Sequence, residues 1–252
     1  MARYGRVRMA AGPRFVEVLD EGLVVLDGAP WEGGRRTDER LPVTTALLVP
    51  SAASKVVAIG QNYRKHSEEM GKPVPKEPLI FMKPSTALNA HRSPIVMPPA
   101  SDEVHYEAEL GLVIGRQLSH ASEAEAAEAI FGLTCFDDVT ARDIQKRETQ
   151  HTRAKSYDTF ACCGPHVVTD VPWDDLRVVC RVNGVVRQDG RTSDMVFGPP
   201  ALVSFISHVM TLLPGDLVST GTPSGVGALQ DGDVVEVEVE GVGVLRNSVT
   251  RG

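Results

Sequence analysis

The chain has 252 residues, 42% of them hydrophobic and 23% charged, with a formal net charge of -7. That balance suits a folded globular protein, and the acidic surplus argues against nucleic acid as the main partner, because phosphate binding needs a basic face. No run of about 18 apolar residues is present to cross a membrane as a helix, and Met1–Gly12 lacks the apolar segment of a secretory leader. A cytoplasmic protein with neither a membrane nor a nucleic-acid partner is expected. Cys135, Cys162, Cys163 and Cys180 show no CxxC spacing and read as buried, reduced thiols.

Residues 1–52 read as a small N-terminal β-domain, with strands at Phe15–Leu19 and Leu23–Leu26 joined at Glu21-Gly22. A polar, Gly-rich stretch follows at Trp31–Arg40, with Pro42 and Pro50 as punctuation. Residues 53–252 read as the catalytic part. There Val56–Gly60 runs into a short helix, Asn62–Met70, and strands follow at Leu79–Met82 and Tyr106–Ile114. Ser122 and Glu125 form a capping box before a helix over Ser122–Ile130. Phe131–Asp138 is a strand and Thr140–Arg147 a helical turn. Val178–Val182 and Val185–Arg187 form a hairpin across Asn183-Gly184. An apolar helix spans Pro199–Leu213, and Leu217–Thr220, Val234–Val239 and Val244–Val249 are strands. Few helices among many strands, punctuated by Gly and Pro, give a β-rich α+β class.

The informative stretch is Tyr106-Glu107-Ala108-Glu109-Leu110. Alternate side chains of a strand share a face, so Glu107 and Glu109 project together while Ala108, Leu110 and Leu112 face the core. Two adjacent carboxylates repel unless a cation lies between them, and hard divalent ions prefer such oxygen ligands. The same spacing is ordinary on a solvated strand, as read for Glu236-x-Glu238-x-Glu240. What separates the first pair is Asp138, at the end of the next long strand, which can complete a three-carboxylate site. Asp138 could instead cap the turn at Thr140, a kind of part better suited to Asp137 and Asp143.

Ordered motifs then carry a resemblance. They are Ile59-Gly60-Gln61-Asn62-Tyr63-Arg64-Lys65-His66, Phe81-Met82-Lys83-Pro84, Tyr106-Glu107-Ala108-Glu109-Leu110 and Asp138-Val139-Thr140-Ala141-Arg142-Asp143. Ala154-Lys155-Ser156-Tyr157-Asp158-Thr159-Phe160, Pro214-Gly215-Asp216 and Thr220-Gly221-Thr222-Pro223-Ser224-Gly225-Val226-Gly227 follow. In order and spacing, over roughly residues 55–250, the chain resembles the fumarylacetoacetate hydrolase family. The resemblance implies a mixed β-roll core in a homodimer, one Mg²⁺ or Mn²⁺ per subunit on Glu107, Glu109 and Asp138, and a small anionic 2-oxo acid as substrate.

His66 and Glu69, at i and i+3, share a helix face. The resemblance implies that this pair activates water, with Lys155 beside the metal. Lys155 could equally be a structural salt bridge to Asp138 or Glu109. Arg142 and Gln145 are carried over as substrate-binding residues, and Thr222 with Gly221 as an anion-holding turn for the substrate carboxylate. The polar segment 64–78 reads as a lid. The expected reaction is metal-dependent hydrolysis of a C–C bond in a small 2,4-diketo acid, through a metal-stabilised enolate. The alternative is an isomerase, tautomerase or decarboxylase of a 2-oxo (di)acid such as 2-hydroxyhepta-2,4-diene-1,7-dioate or oxaloacetate. A non-catalytic, metal-stabilised binding protein is the second alternative.

Overall fold

A computed structural model describes residues 1–252. Its backbone is a 12-stranded sheet, a 5-stranded sheet and a 3-stranded sheet. In the largest, ten strands lie side by side in the order Arg36–Leu41, Gly22–Leu26, Gly12–Leu19, Arg3–Met9, Ala161–Val168, Ile130–Asp138, Ala108–Ile114, Leu217–Ser219, Lys55–Gly60 and Leu79–Pro84, while Leu47–Leu48 and Leu88–Ala90 pair off this path with Arg3–Met9 and Ala161–Val168. The expected β-rich α+β class is observed. The N-terminal strands continue the same sheet, through Arg3 opposite Val168 and Tyr4 opposite Val167. They also enclose a small core of their own from Val7, Val16, Leu23 and Val25. No helix is long and apolar enough to cross a membrane.

The main core lies between this sheet and the 5-stranded one. Ala108, Leu110 and Leu112 point into it, as their alternation predicts, and meet Val178, Cys180 and Val237. Glu109 and Val113 therefore project from the opposite face, where Val113 packs with Phe136 and Leu217. The capping box of Ser122 and Glu125 is formed, and all four cysteines are free and buried. The hairpin turn adopts positive φ at Asn183 (52°) and Gly184 (78°), the backbone such a two-residue turn needs.

Arg36–Leu41, inside the polar stretch, forms a charged strand at the sheet edge, a composition that discourages pairing with other chains. Three expectations change. The apolar helix stops at Val209 rather than Leu213, because Leu212 is drawn into an extended bridge with Leu118. The turn after Asp138 is a two-residue strand, Thr140–Ala141, followed by the helix Arg142–Arg147. Most consequential, Tyr106–Ile114 is not one strand. Val104–Tyr106 belongs to the 3-stranded sheet, Ala108–Ile114 to the 12-stranded one, and Glu107 is the residue between them.

Candidate active site

The break at Glu107 is built by side chains. A residue that leaves one sheet for another frees backbone N–H groups, which must find partners when buried. The Glu107 N–H donates to Asp137 Oδ1 at 2.8 Å and the Ala108 N–H to Gln188 Oε1 at 2.9 Å. Gln188 Nε2 then donates to Thr222 Oγ1 and to the Pro223 carbonyl, both at 2.8 Å. One buried glutamine thus ties the break to the glycine-rich turn. The Asp138 N–H donates to the Glu107 carbonyl at 2.9 Å, which sets the second strand end beside the first.

These constraints bring Glu107, Glu109 and Asp138 together, buried, with one oxygen of each within 4.8 Å of the others. Their partners differ. Glu107 accepts from Lys155 Nζ at 2.8 Å and from the Arg142 guanidinium. Asp138 accepts from Lys155 Nζ and from Lys83 Nζ, each at 2.5 Å. Glu109 accepts only neutral donors, the Ser219 hydroxyl and the Gly221 N–H, the latter at 2.8 Å. Lys155 therefore pairs with Asp138 as expected, but its second partner is Glu107 and not Glu109.

The electrostatics follow this arrangement. Burial pushes the Glu107 carboxyl up, but Lys155, Arg142 and His66 outweigh it and hold the group below the usual carboxylate range. For Glu109, burial and then the Asp138 and Glu107 charges push the carboxyl well above that range. Asp137 is pushed up to about 7 by burial, against the Glu107 N–H bond. Burial lowers Lys83 in spite of Asp138, whereas Lys155 is raised because Asp138 and Glu107 outweigh its burial. Three hard oxygen donors, one of them facing no cation, fit a divalent metal such as Mg²⁺ or Mn²⁺.

Further groups surround the carboxylates. His66 is buried, with Nδ1 3.2 Å from Glu69 Oε2. Glu69 also accepts the Gly225 N–H at 3.0 Å, which anchors the pair to the glycine-rich turn. Arg142 Nη1 donates to Gln145 Oε1 at 2.6 Å. Met70 and Lys72, from the segment read as a lid, line the same cavity as His66, Glu107, Arg142 and Lys155.

The turn expected to hold an anion does hold a carboxylate, but it is the protein's own Glu109. Thr222 Oγ1 donates to the Ala108 carbonyl at 2.9 Å and faces the cavity rim. Gly221 has a φ of 96°, and a Cβ there would sit 2.7 Å from the Asn62 Cβ, so only glycine fits. Lys83, Gln188, Ser219 and Asp137 escaped the sequence reading as site residues. Lys83 sits in a motif already singled out, but nothing local tells a buried strand lysine from a surface one. His151, left without a role, lines the cavity too.

A model of the fumarylacetoacetate (FAA) hydrolase C-terminal family matches residues 55–250. The chain belongs to this family. An Rv2993c-like N-terminal family model matches residues 2–50. A fumarylacetoacetate hydrolase relative, the mitochondrial oxaloacetate tautomerase FAHD2A of Homo sapiens, is 41% identical over 252 residues, covering 93% of this chain and 79% of the human protein. The crystal structure of 2-hydroxyhepta-2,4-diene-1,7-dioate isomerase from Mycobacterium marinum matches at 42% identity with a TM-score of 0.92, covering 100% of this chain and 99% of that one. That of 5-carboxymethyl-2-hydroxymuconate delta-isomerase from Mycobacterium smegmatis matches at 42% identity and a TM-score of 0.93, covering 99% and 100%. Membership of the fumarylacetoacetate hydrolase family, with isomerases and a tautomerase as relatives, makes this chain an enzyme.

Proposed function

We propose that this enzyme moves a proton on the carbon next to the 2-oxo group of a small 2-oxo dicarboxylate, as a tautomerase or double-bond isomerase. The observation that carries the reading is the buried His66, 3.2 Å from Glu69, in the wall of the cavity that Glu107 and Glu109 also line. The names of relatives above 40% identity support it over the hydrolysis expected first. A divalent ion held by Glu107, Glu109 and Asp138 would supply the positive charge that acidifies the adjacent C–H when bound.

The chain's own groups do the rest. A proton on His66 Nδ1, donated to Glu69, leaves Nε2 as the base that takes and returns the substrate proton. Lys155 has three N–H donors and engages two carboxylates, so the third can meet negative charge developing on the 2-oxo oxygen. Arg142, with one guanidinium edge on Glu107, and Gln145, whose amide NH₂ has no protein partner, orient the substrate's 1-carboxylate. Thr222 lines the cavity beside it, and the Gly221 N–H holds Glu109 in place.

The test follows the enol absorbance of oxaloacetate with Mg²⁺ or Mn²⁺ and with chelator. Metal-dependent ketonisation should fall about 10²–10⁴-fold in His66→Ala. Hydrolysis of an acylpyruvate is the second reading, because the same His66–Glu69 pair can activate water. Cleavage of acetylpyruvate with no effect on oxaloacetate or 2-hydroxyhepta-2,4-diene-1,7-dioate would replace the first reading with the second.

A further inference from the structure

Of the basic side chains that line the cavity, three are already paired. Lys155 and Arg142 are paired with acids, and His66 with Glu69. Two are not. Lys72, exposed on the segment after the His66 helix, lines the cavity with its ammonium unpaired. His151, half-buried at the start of the short helix that carries Lys155, lines it with neither ring nitrogen hydrogen-bonded.

The His151 ring is fixed rather than loose. It meets the Phe81 ring edge-on, with centroids 5.6 Å apart, and the Lys155 Nζ lies 5.0 Å from the centroid of the same Phe81 ring. Lys155 and His151 thus flank one aromatic, the first reaching the carboxylate cluster and the second not. Burial and then the Lys155 and Lys72 charges hold the imidazole below the usual histidine range. The two lysine charges beside the ring, and not its burial, are what would draw an anion to this place. An anion there would gain a cation and a ring N–H donor without displacing any existing partner.

We infer that Lys72 and His151 form the subsite for a second carboxylate, making this enzyme selective for 2-oxo dicarboxylates over 2-oxo acids with an uncharged tail. The assignment rests on the reading of the cavity as a 2-oxo acid site. It adds two specificity-determining residues, one of which sits on the segment that covers the cavity. Binding of the distal carboxylate would then hold that segment against the Phe81 wall.

The test uses two ligands that cannot enolise at C3, 3,3-dimethyl-2-oxopentanedioate and 3,3-dimethyl-2-oxopentanoate, titrated calorimetrically into the full chain with Mg²⁺. They differ only in the distal carboxylate, so the ratio of their Kd values isolates it. The wild type should prefer the diacid by at least about tenfold, the range of a charge-assisted hydrogen bond. Lys72→Met and His151→Phe should each reduce that ratio, and the double variant should bring it to within about twofold of unity. Lys72→Arg should retain it. Lys72 is exposed, so its variants test the assignment even if His151→Phe fails to fold. A wild type without preference, or a ratio untouched by Lys72→Met, overturns it. An unchanged ratio in a chain that still ketonises oxaloacetate removes only the subsite. A collapsed ratio in a chain that never does so keeps the subsite and removes the proposed reaction.

Discussion

Glu107 and Asp138 each face two cationic nitrogens, whereas Glu109 faces only the Ser219 hydroxyl and the Gly221 amide. Because its folded carboxyl is raised above the unfolded value, ionising it opposes folding, and the penalty grows as pH rises from the unfolded value through the folded one. Glu109→Gln keeps an oxygen to accept both neutral donors and removes the charge. In chelator at neutral pH it should melt a few degrees above the wild type. Mg²⁺ or Mn²⁺ should raise the wild-type melting temperature, by about 2.7 kcal/mol of stability at a hundredfold excess over Kd, and leave the variant unmoved. Scanning calorimetry checks both arms, and a variant less stable than the wild type in chelator would refute the charge argument. Glu107, Glu109 and Asp138 were legible because strand spacing and ordered motifs both point to them. Lys83 was not. A lysine after Phe81-Met82 looks like any surface residue until Asp138, from a distant strand, lies across it.

At the scale of elements, local signals read well. The Ser122–Glu125 capping box and the Asn183-Gly184 turn depend on residues a few positions apart, and both are formed. The continuous strand over Tyr106–Ile114 failed because alternation cannot reveal that Asp137 and Gln188 take its backbone N–H groups. A similar long-range tie joins the loop after the strand Leu88–Ala90 to the last strand, Gly243–Arg251, where His91 Nδ1 accepts the Arg246 N–H at 3.1 Å. A doubly protonated imidazole cannot accept that bond. Burial, then Arg92, His166 and Arg246, lower His91 from 6.5 to about 4. The folded pKa is below the unfolded one, so the unfolded chain binds more protons. The contribution is complete above 6.5 and is lost as pH falls toward 4. His91→Asn retains an acceptor that does not titrate. Across that window it should lose less stability than the wild type, by on the order of 1 kcal/mol after allowance for partial exposure. Denaturant melts at several pH values measure the difference, and parallel curves would exclude it.

At the scale of the molecule, the N-terminal strands support the part that carries the site. Arg3 and Tyr4 pair with Val168 and Val167, and Trp31 packs edge-on against Phe131 with centroids 5.7 Å apart. Phe131 belongs to the strand that ends in Asp138. A chain beginning at residue 53 would leave this ring and the Ala161–Val168 strand partly uncovered, an unpaired edge that invites association. It should therefore melt lower and elute as larger species in size-exclusion chromatography. A monodisperse fragment with the melting temperature of the full chain would show that the N-terminal strands are dispensable.

Two segments read as strands carry the Glu-x-Glu spacing, and alternation predicted that the glutamates of each project together. It also determined the hairpin, the capped helix and the ordered motifs, because each is encoded within a few neighbouring residues. Tertiary structure decided which pair is buried beside a third carboxylate. Glu236 and Glu238 lie at the surface against Arg246 and Arg181, where water screens their charge. Glu109 is 1% exposed, beside Glu107 and Asp138, with no cation of its own. The difference is burial by strands far apart in sequence, and burial is what turns an ordinary carboxylate pair into a site with a reason to hold a metal ion.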